Sequence, residues 1–188
     1  MMPTLLFLSG SIRKDSFNTK LCRAAHSMAT AKGADATLID LAKFDMPLYN
    51  GDLESSSGLP ANAITLKELF ANANGFFIAS PEYNGSFSAL LKNTIDWISR
   101  PHEDQEQPLI AFKGKAAALA ATSPGALGGL RGLVPLRMLL GNIGVIVAPT
   151  QFALGGAMKA FDDNGNLVDE QNHAKLEAVV DELIKIAS

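Results

Sequence analysis

The chain has 188 residues, 47% of them apolar and 19% charged, and a net charge of −3. That length fits one domain of roughly 100–200 residues, and the apolar share, with mean hydropathy +0.14, excludes disorder as the main state. The weak negative charge excludes a surface built to coat nucleic acid or an anionic membrane.

The first apolar run, Leu5–Leu8, lacks the length and the basic flank of a secretory signal. It reads as a strand that ends at Ser9-Gly10-Ser11. A helix is predicted over Asn18–Lys32, with Leu21, Ala24, Ala25 and Met28 on one face. A second strand follows at Ala36–Ile39. Asp45–Pro60, with its Ser55-Ser56-Ser57-Gly58 run, reads as the longest irregular segment. Then come a helix at Ala61–Asn72, a strand at Gly75–Ala79 ending at Ser80-Pro81, and a helix at Leu90–Ser99. A strand at Ala116–Ala121 ends at Thr122-Ser123-Pro124-Gly125. A strongly apolar helix at Leu130–Leu140 precedes a strand at Val145–Val147, and a last helix covers His173–Ile186. The uncharged stretch Met138–Ala157 is long enough for a membrane span, but Gly141, Asn142, Gly144 and Pro149 interrupt it. It reads as helix end, loop, buried strand, loop. Strands apolar on both faces, alternating with helices, predict an α/β sandwich around a five-stranded parallel sheet. No repeat or linker divides residues 1–188, so a single domain is expected.

In open α/β sheets, ligands sit at the carboxyl ends of strands, where helix N-termini offer free N–H groups. The first such loop, Ser9 to Thr19, adds the hydroxyls of Ser9, Ser11, Ser16 and Thr19, the Asn18 amide and the Arg13 guanidinium. It lacks the G-x-G-x-x-G of a dinucleotide fold and the G-K-[ST] of a P-loop. A monophosphate cradle and a plain N-cap with a basic solvated loop both fit the spacing. The loop Ser80 to Ser88 joins a stiff Pro81, a flat Tyr83 and the turn formers Asn84 and Gly85. Those residues suit a flat heterocycle, or simply a turn before a capped helix.

Gly10-Ser11-x-Arg13-x-x-Ser16-x-Asn18, together with Pro81-Glu82-Tyr83-Asn84-x-Ser86 and Leu91-Lys92-Asn93-x-Ile95-Asp96-Trp97, resembles the NADPH-dependent FMN reductase family. The resemblance extends to Pro47-Leu48-Tyr49 and Phe161-x-x-x-Gly165-x-Leu167. It implies a flavodoxin-like three-layer fold with strand order 2-1-3-4-5. It implies that Ser11, Arg13, Ser16, Asn18 and Thr19 bind the FMN phosphate. Pro81, Glu82, Tyr83, Asn84, Gly85 and Ser86 would line the ribityl chain and the isoalloxazine, with Tyr83 and Asn84 near the ring. Ser123 and Gly125 would meet the ring edge, although helix capping by Ser123 fits equally. Many relatives carry a short residue at 87 and proline at 88; here Phe87 narrows the expected space above the flavin and Ser88 follows. The implied activity is two-electron, ping-pong reduction of a small acceptor by NADPH or NADH, with no side chain acting as nucleophile. The acceptor would be a quinone, azo dye, nitro compound, chromate or free flavin. The implied assembly is a homodimer or homotetramer, the neighbour completing the flavin site. Rival readings are a flavodoxin-like electron carrier and the reductase component that supplies reduced FMN to a monooxygenase. At 188 residues there is no room for a separate nicotinamide domain, so both substrates are expected to meet one flavin face in turn.

The remaining features carry no expected chemistry. Cys22, alone, excludes an internal disulfide or cysteine-based cluster, reads as a packed helix residue and points to a reducing, cytoplasmic setting. His26, His102 and His173 share no ligand spacing and read as surface residues, so no metal is expected. Asp162-Asp163-Asn164-Gly165 reads as a turn, and Trp97 as core. Arg13, Lys14, Lys20 and Arg23 cluster early; with little aromatic interleaving a nucleic-acid surface is not expected, and one phosphate explains Arg13 better. Arg131 and Arg137 are read as interface or surface residues.

Overall fold

In the computed structural model, which describes residues 2–188, five parallel strands lie in the order β2-β1-β3-β4-β5. They are β1 (Thr4–Ser9), β2 (Asp35–Ile39), β3 (Gly75–Ala79), β4 (Ala116–Thr122) and β5 (Ile146–Leu154). The helices are α1 (Phe17–Ala31), α2 (Gly51–Ser57), α3 (Ala61–Asn72), α4 (Ala89–Ile98), α5 (Leu130–Asn142) and α6 (Glu170–Ala187). The expected flavodoxin-like topology is present. Side chains alternate across the sheet with period two. Leu6, Leu8, Phe76 and Ile78 face one core, to which α3, α4 and α5 contribute. Leu5, Phe7 and Phe77 face the other, completed by α1 and α6.

Burial on both faces holds for β3 and β4 throughout and for β1 beyond Thr4. It fails for β2 and β5, which are the sheet edges and are partly exposed. β5 also runs well past the expected Val147. Pro149 lies within it, where the register skips from Ala117 opposite Val147 to Leu119 opposite Gln151. An edge position at a bulge is where a strand tolerates proline, because no ladder N–H is needed there. Arg137 on α5 secures this bulge by donating to the carbonyls of Val147 and Ala148, at 3.4 and 2.8 Å. At the start of β3 the strands pack so closely that a Cβ on Gly75 would lie 2.8 Å from the Ala116 carbonyl oxygen.

The segment 45–60 is not irregular throughout: it contains α2, none of whose residues is buried. Asn50 caps it, accepting from the Asp52 N–H at 2.8 Å. Tertiary contacts then hold it against α4. Trp97, fully buried as expected, donates from Nε1 to the Pro47 carbonyl at 2.7 Å. Glu54 accepts from the Tyr49 hydroxyl at 2.8 Å and from Arg100 Nε at 2.7 Å. The Arg100 hydrogen bond holds the Glu54 carboxyl below its usual range. A depressed carboxylate stabilises above its unfolded pKa, and that contribution is lost as pH falls through the folded value. Amide protection across 49–57, with exchange rates taken relative to their intrinsic values at each pH, is therefore expected to fall below about pH 4, the ordinary carboxylate range, and Glu54→Gln should remove that pH dependence. Equal profiles for both proteins would contradict this clip.

Two histidines depart from the surface reading. His26 is half-buried, edge-on to Phe7 with ring centroids 5.5 Å apart. His102 sits 2.9 Å from Glu106, which also pairs with the buried Lys67. Lys67 in turn donates to the Arg100 carbonyl at 2.6 Å, so this cluster fastens the chain beyond α4 onto α3. His173 is exposed, and Asp162 accepts from the Asn166 N–H at 2.7 Å in a tight turn. No metal-holding group of acidic, histidine or cysteine side chains occurs among the described residues. Cys22 is buried, and burial pushes its thiol pKa up, out of the reactive range.

Candidate active site at the carboxyl ends of β1, β3 and β4

Three loops meet where β1, β3 and β4 end, and each is fastened to the next. Gly10 N–H donates to the Ala79 carbonyl at 2.9 Å, and Ser88 Oγ donates to the Gly10 carbonyl at 2.6 Å. A Cβ on Gly10 would lie 3.2 Å from both Pro81 Cδ and Ser88 Oγ, so glycine lets the first two loops touch. Asn18 ties the first loop to the third. Its side-chain amide donates to the Thr122 carbonyl and accepts from the Thr122 N–H, both at 3.0 Å, in a buried position.

The first loop is organised by its hydroxyls. Ser9 Oγ accepts from the Ser11 N–H and Ser11 Oγ from the Arg13 N–H, both at 3.3 Å. Ser16 caps α1, accepting from the Thr19 N–H at 3.4 Å, and Thr19 donates its hydroxyl to the Ser11 carbonyl at 3.4 Å. The N–H groups of Phe17 and Asn18 in the first turn find no acceptor among the described residues, as expected of a helix start. Ser11, Arg13, Ser16 and Thr19 line one cavity of about 390 Å³. Asn18 does not line it, because its amide is committed to Thr122. Arg13 has no carboxylate partner among the described residues. Its head makes only long hydrogen bonds, 3.4 and 3.3 Å, to the Lys14 and Asp15 carbonyls, over the Phe17 ring.

The second loop is a tight turn. Tyr83 N–H donates to Ser86 O at 2.7 Å and Ser86 N–H to Tyr83 O at 3.1 Å. Asn84 and Gly85 take φ of +52° and +81°, the left-handed values such a turn requires. Their N–H groups donate to no described atom, and the Tyr83 ring is 54% exposed. Pro81 is buried beneath the turn. Glu82 is held by Arg131 of α5, with both contacts at 2.7 Å. Gly132 allows α5 this approach: a Cβ there would be 3.0 Å from the Ser86 carbonyl. Phe87 is partly buried and packs against the first core.

In the third loop Ser123 donates its N–H to the Leu154 carbonyl at 3.2 Å, and Gly125 is exposed. Ser123 does not cap α5, which begins at Leu130 after Gly128 and Gly129, both at positive φ. Sequence reasoning offered a serine cap before α4, which Ser88 provides by accepting from the Leu91 N–H at 3.2 Å, but missed its tie to Gly10 and the positioning roles of Thr122 and Arg131. Ser88 alone had a local signal, a serine immediately before an apolar helix. The other two act on residues distant in sequence.

A family model described as NADPH-dependent FMN reductase matches residues 3–159. The chain belongs to that family. It is 35% identical over 165 residues to a quinone reductase of Escherichia coli strain K12, covering 87% of this chain and 84% of the relative. An NADPH:quinone oxidoreductase of Arabidopsis thaliana is 36% identical over 182 residues, covering 92% and 86%. Among solved structures, a flavoenzyme NAD(P)H:(acceptor) oxidoreductase of Paracoccus denitrificans superposes with TM-score 0.84 at 28% identity, covering 98% of this chain and 97% of that one. The family is one of oxidoreductases that use FMN and NAD(P)H. The donor set fits that cofactor: hydroxyls, a helix start and an uncommitted guanidinium at one end, free turn N–H groups and a flat aromatic at the other.

Proposed function

We infer that this chain holds FMN across the three fastened loops and reduces quinones, with azo dyes, nitro compounds, chromate and free flavin as further acceptors, at the expense of NADPH or NADH. The observation that carries this reading is the tie of the first loop to the other two, by Ser88 at Gly10 and by Asn18 at Thr122. When bound, FMN would supply the redox chemistry, a two-electron transfer from nicotinamide to acceptor. The protein binds and orients. Ser11, Ser16, Thr19 and Arg13 hold the phosphate with the N–H groups of the first turn of α1. Asn18 positions them through Thr122. Asn84 and Gly85 offer N–H groups to the ring's polar edge, Tyr83 covers a face, and Glu82 and Ser86 fix the turn. Ser123 and Gly125 border the ring. Donors near the polar edge favour the negative charge of the reduced cofactor. The weak net charge speaks against a carrier steered to protein partners by a strong field.

Arg13→Ala is expected to weaken FMN binding about 10–150-fold, the loss of about 1.5–3 kcal/mol typical of a charged hydrogen bond, with unchanged melting temperature. Fluorescence titration of the FMN-free protein measures it, and unchanged affinity removes Arg13 from the phosphate site.

The exposed apolar side chains on α5 support a homodimer or homotetramer. Val134 and Met138 are each 64% exposed one turn apart on α5, and Leu130 one turn earlier is also exposed. Val134→Asp is expected to yield monomers by sedimentation. No described helix is long and apolar enough to cross a membrane. The buried, reduced Cys22 and the need for reduced nicotinamide fit a cytoplasmic enzyme.

A further inference from the structure

The second loop, Ser80 to Ser88, and the third, Thr122 to Gly129, contain a single carboxylate, Glu82. Its side chain is only 9% exposed. Enclosing a charge this far is costly unless a partner offsets it. The partner is Arg131, in the first turn of α5, whose Nε and one terminal nitrogen both reach the same Glu82 oxygen at 2.7 Å. The N-terminus of α5 adds its own positive end. Cβ atoms at Gly129 and Gly132 would lie 3.7 and 3.3 Å from the Glu82 Cβ, so Glu82 sits against a helix start that has no acidic residue of its own. The shape of the second loop does not call for this charge. The turn closes through the backbone of Tyr83 and Ser86, the Ser80 N–H donates to the Ala120 carbonyl at 2.8 Å, and Ser88 ties the loop to Gly10. Yet Glu82 adjoins Tyr83 and the free N–H groups of Asn84 and Gly85. A carboxylate at that position opposes the negative charge of a reduced flavin, and a guanidinium upon it restores neutrality.

We propose that the Glu82–Arg131 pair sets the reduction potential of the bound flavin, with Arg131 cancelling a carboxylate charge that would otherwise disfavour the reduced cofactor. The proposal rests on the FMN reading of the site and adds to it a residue outside the cofactor loops. Arg131 is a positioning residue: it acts through Glu82, and its own side chain is 69% exposed. Solvent screens an exposed guanidinium more than an enclosed carboxylate, so Glu82 is the stronger of the two charges when either stands alone. The two single removals therefore shift the potential in opposite directions, the loss of Arg131 by more, and removing both charges cancels most of the shift. A pair that only braced α5 against the loop would give shifts of no fixed sign.

The test is the midpoint potential of the FMN-loaded protein, from reductive titration against reference dyes at about pH 8, well above the carboxylate range. Arg131→Ala is expected to weaken binding of reduced relative to oxidised FMN about 10-fold, a fall of about 30 mV for a two-electron couple. Glu82→Gln is expected to strengthen it about 3-fold, a rise of about 15 mV. The double variant should return close to the wild-type potential. Arg131→Lys, which keeps the charge and gives up the two-nitrogen grip, should stay close to it as well. Equal potentials in all forms overturn the proposal, as do single variants that shift in the same direction. So does an Arg131→Lys potential as low as that of Arg131→Ala, which would mark a bracing role. Val134→Asp, measured in parallel, isolates any effect of assembly, and a fall equal to that of Arg131→Ala would overturn the proposal by assigning the shift to contact between copies. If Arg131→Ala does not fold, a Glu82→Gln potential at or below the wild-type value overturns the proposal by itself. A protein that takes up no FMN loses both the FMN reading and this one. A flavoprotein that NADPH bleaches, with one potential in every form, loses this one alone.

Discussion

Replacing Asn18 by alanine is expected to lower stability by about 3 kcal/mol, because it leaves two buried backbone groups without partners. The two groups are the N–H and the carbonyl of Thr122, each now 3.0 Å from the Asn18 amide. Thr122 closes β4 and is fully enclosed, so water cannot replace the lost bonds without opening the sheet end. A domain of this size moves by roughly 2–4 °C per kcal/mol, so the melting temperature should fall by about 6–12 °C. FMN affinity should fall as well, since the first and third loops would lose their tie. Thermal melts of the FMN-free protein separate the two effects. An unchanged melting temperature would show that Asn18 is free to act as a ligand instead.

Gly128→Ala is expected to cost more than about 3 kcal/mol, combining strain at positive φ with overpacking against a rigid neighbour. Gly128 has φ +60°, and a Cβ there would lie 2.5 Å from the Leu154 carbonyl carbon and 2.7 Å from the Gly155 nitrogen. Those atoms are backbone and cannot rotate away. The third loop must therefore move, and the Leu154 carbonyl that anchors Ser123 and Thr122 moves with it. Gly141→Ala in α5 is the matched control. A Cβ on Gly141 would meet nothing within 4 Å, so a gain of about 0.5–1 kcal/mol is expected in a helix. Chemical denaturation of both variants gives the comparison. Similar stabilities would contradict the close-packing account of the third loop.

The parts of the fold legible in the sequence are those decided locally. The apolar runs of β1, β3 and β4 were readable because central strands bury both faces, and their loops ended in recognisable turn residues. The extent of β5 was hidden by Pro149, which stops a central strand but not an edge strand with a bulge. α2 was hidden because its serine-rich sequence has no buried face, and a Tyr49–Glu54–Arg100 network spanning distant residues holds it. In the site, Ser11, Arg13, Ser16 and Thr19 share a cavity. Asn18 looked the same in sequence, and only its contact with Thr122, 104 residues away, separates its role. Arg131 was similarly opaque: its pairing with Glu82 depends on how α5 docks, which no local pattern encodes.

The central claim is that FMN held by these loops exchanges electrons with NAD(P)H and then with a small acceptor at one shared face. Anaerobic rapid mixing of the FMN-loaded protein with NADPH tests it most directly. Loss of the yellow flavin absorbance, complete before any quinone is added and fully restored when quinone follows, is the result predicted. A protein that binds FMN but whose absorbance neither NADPH nor NADH bleaches would contradict it and mark the chain as an electron carrier.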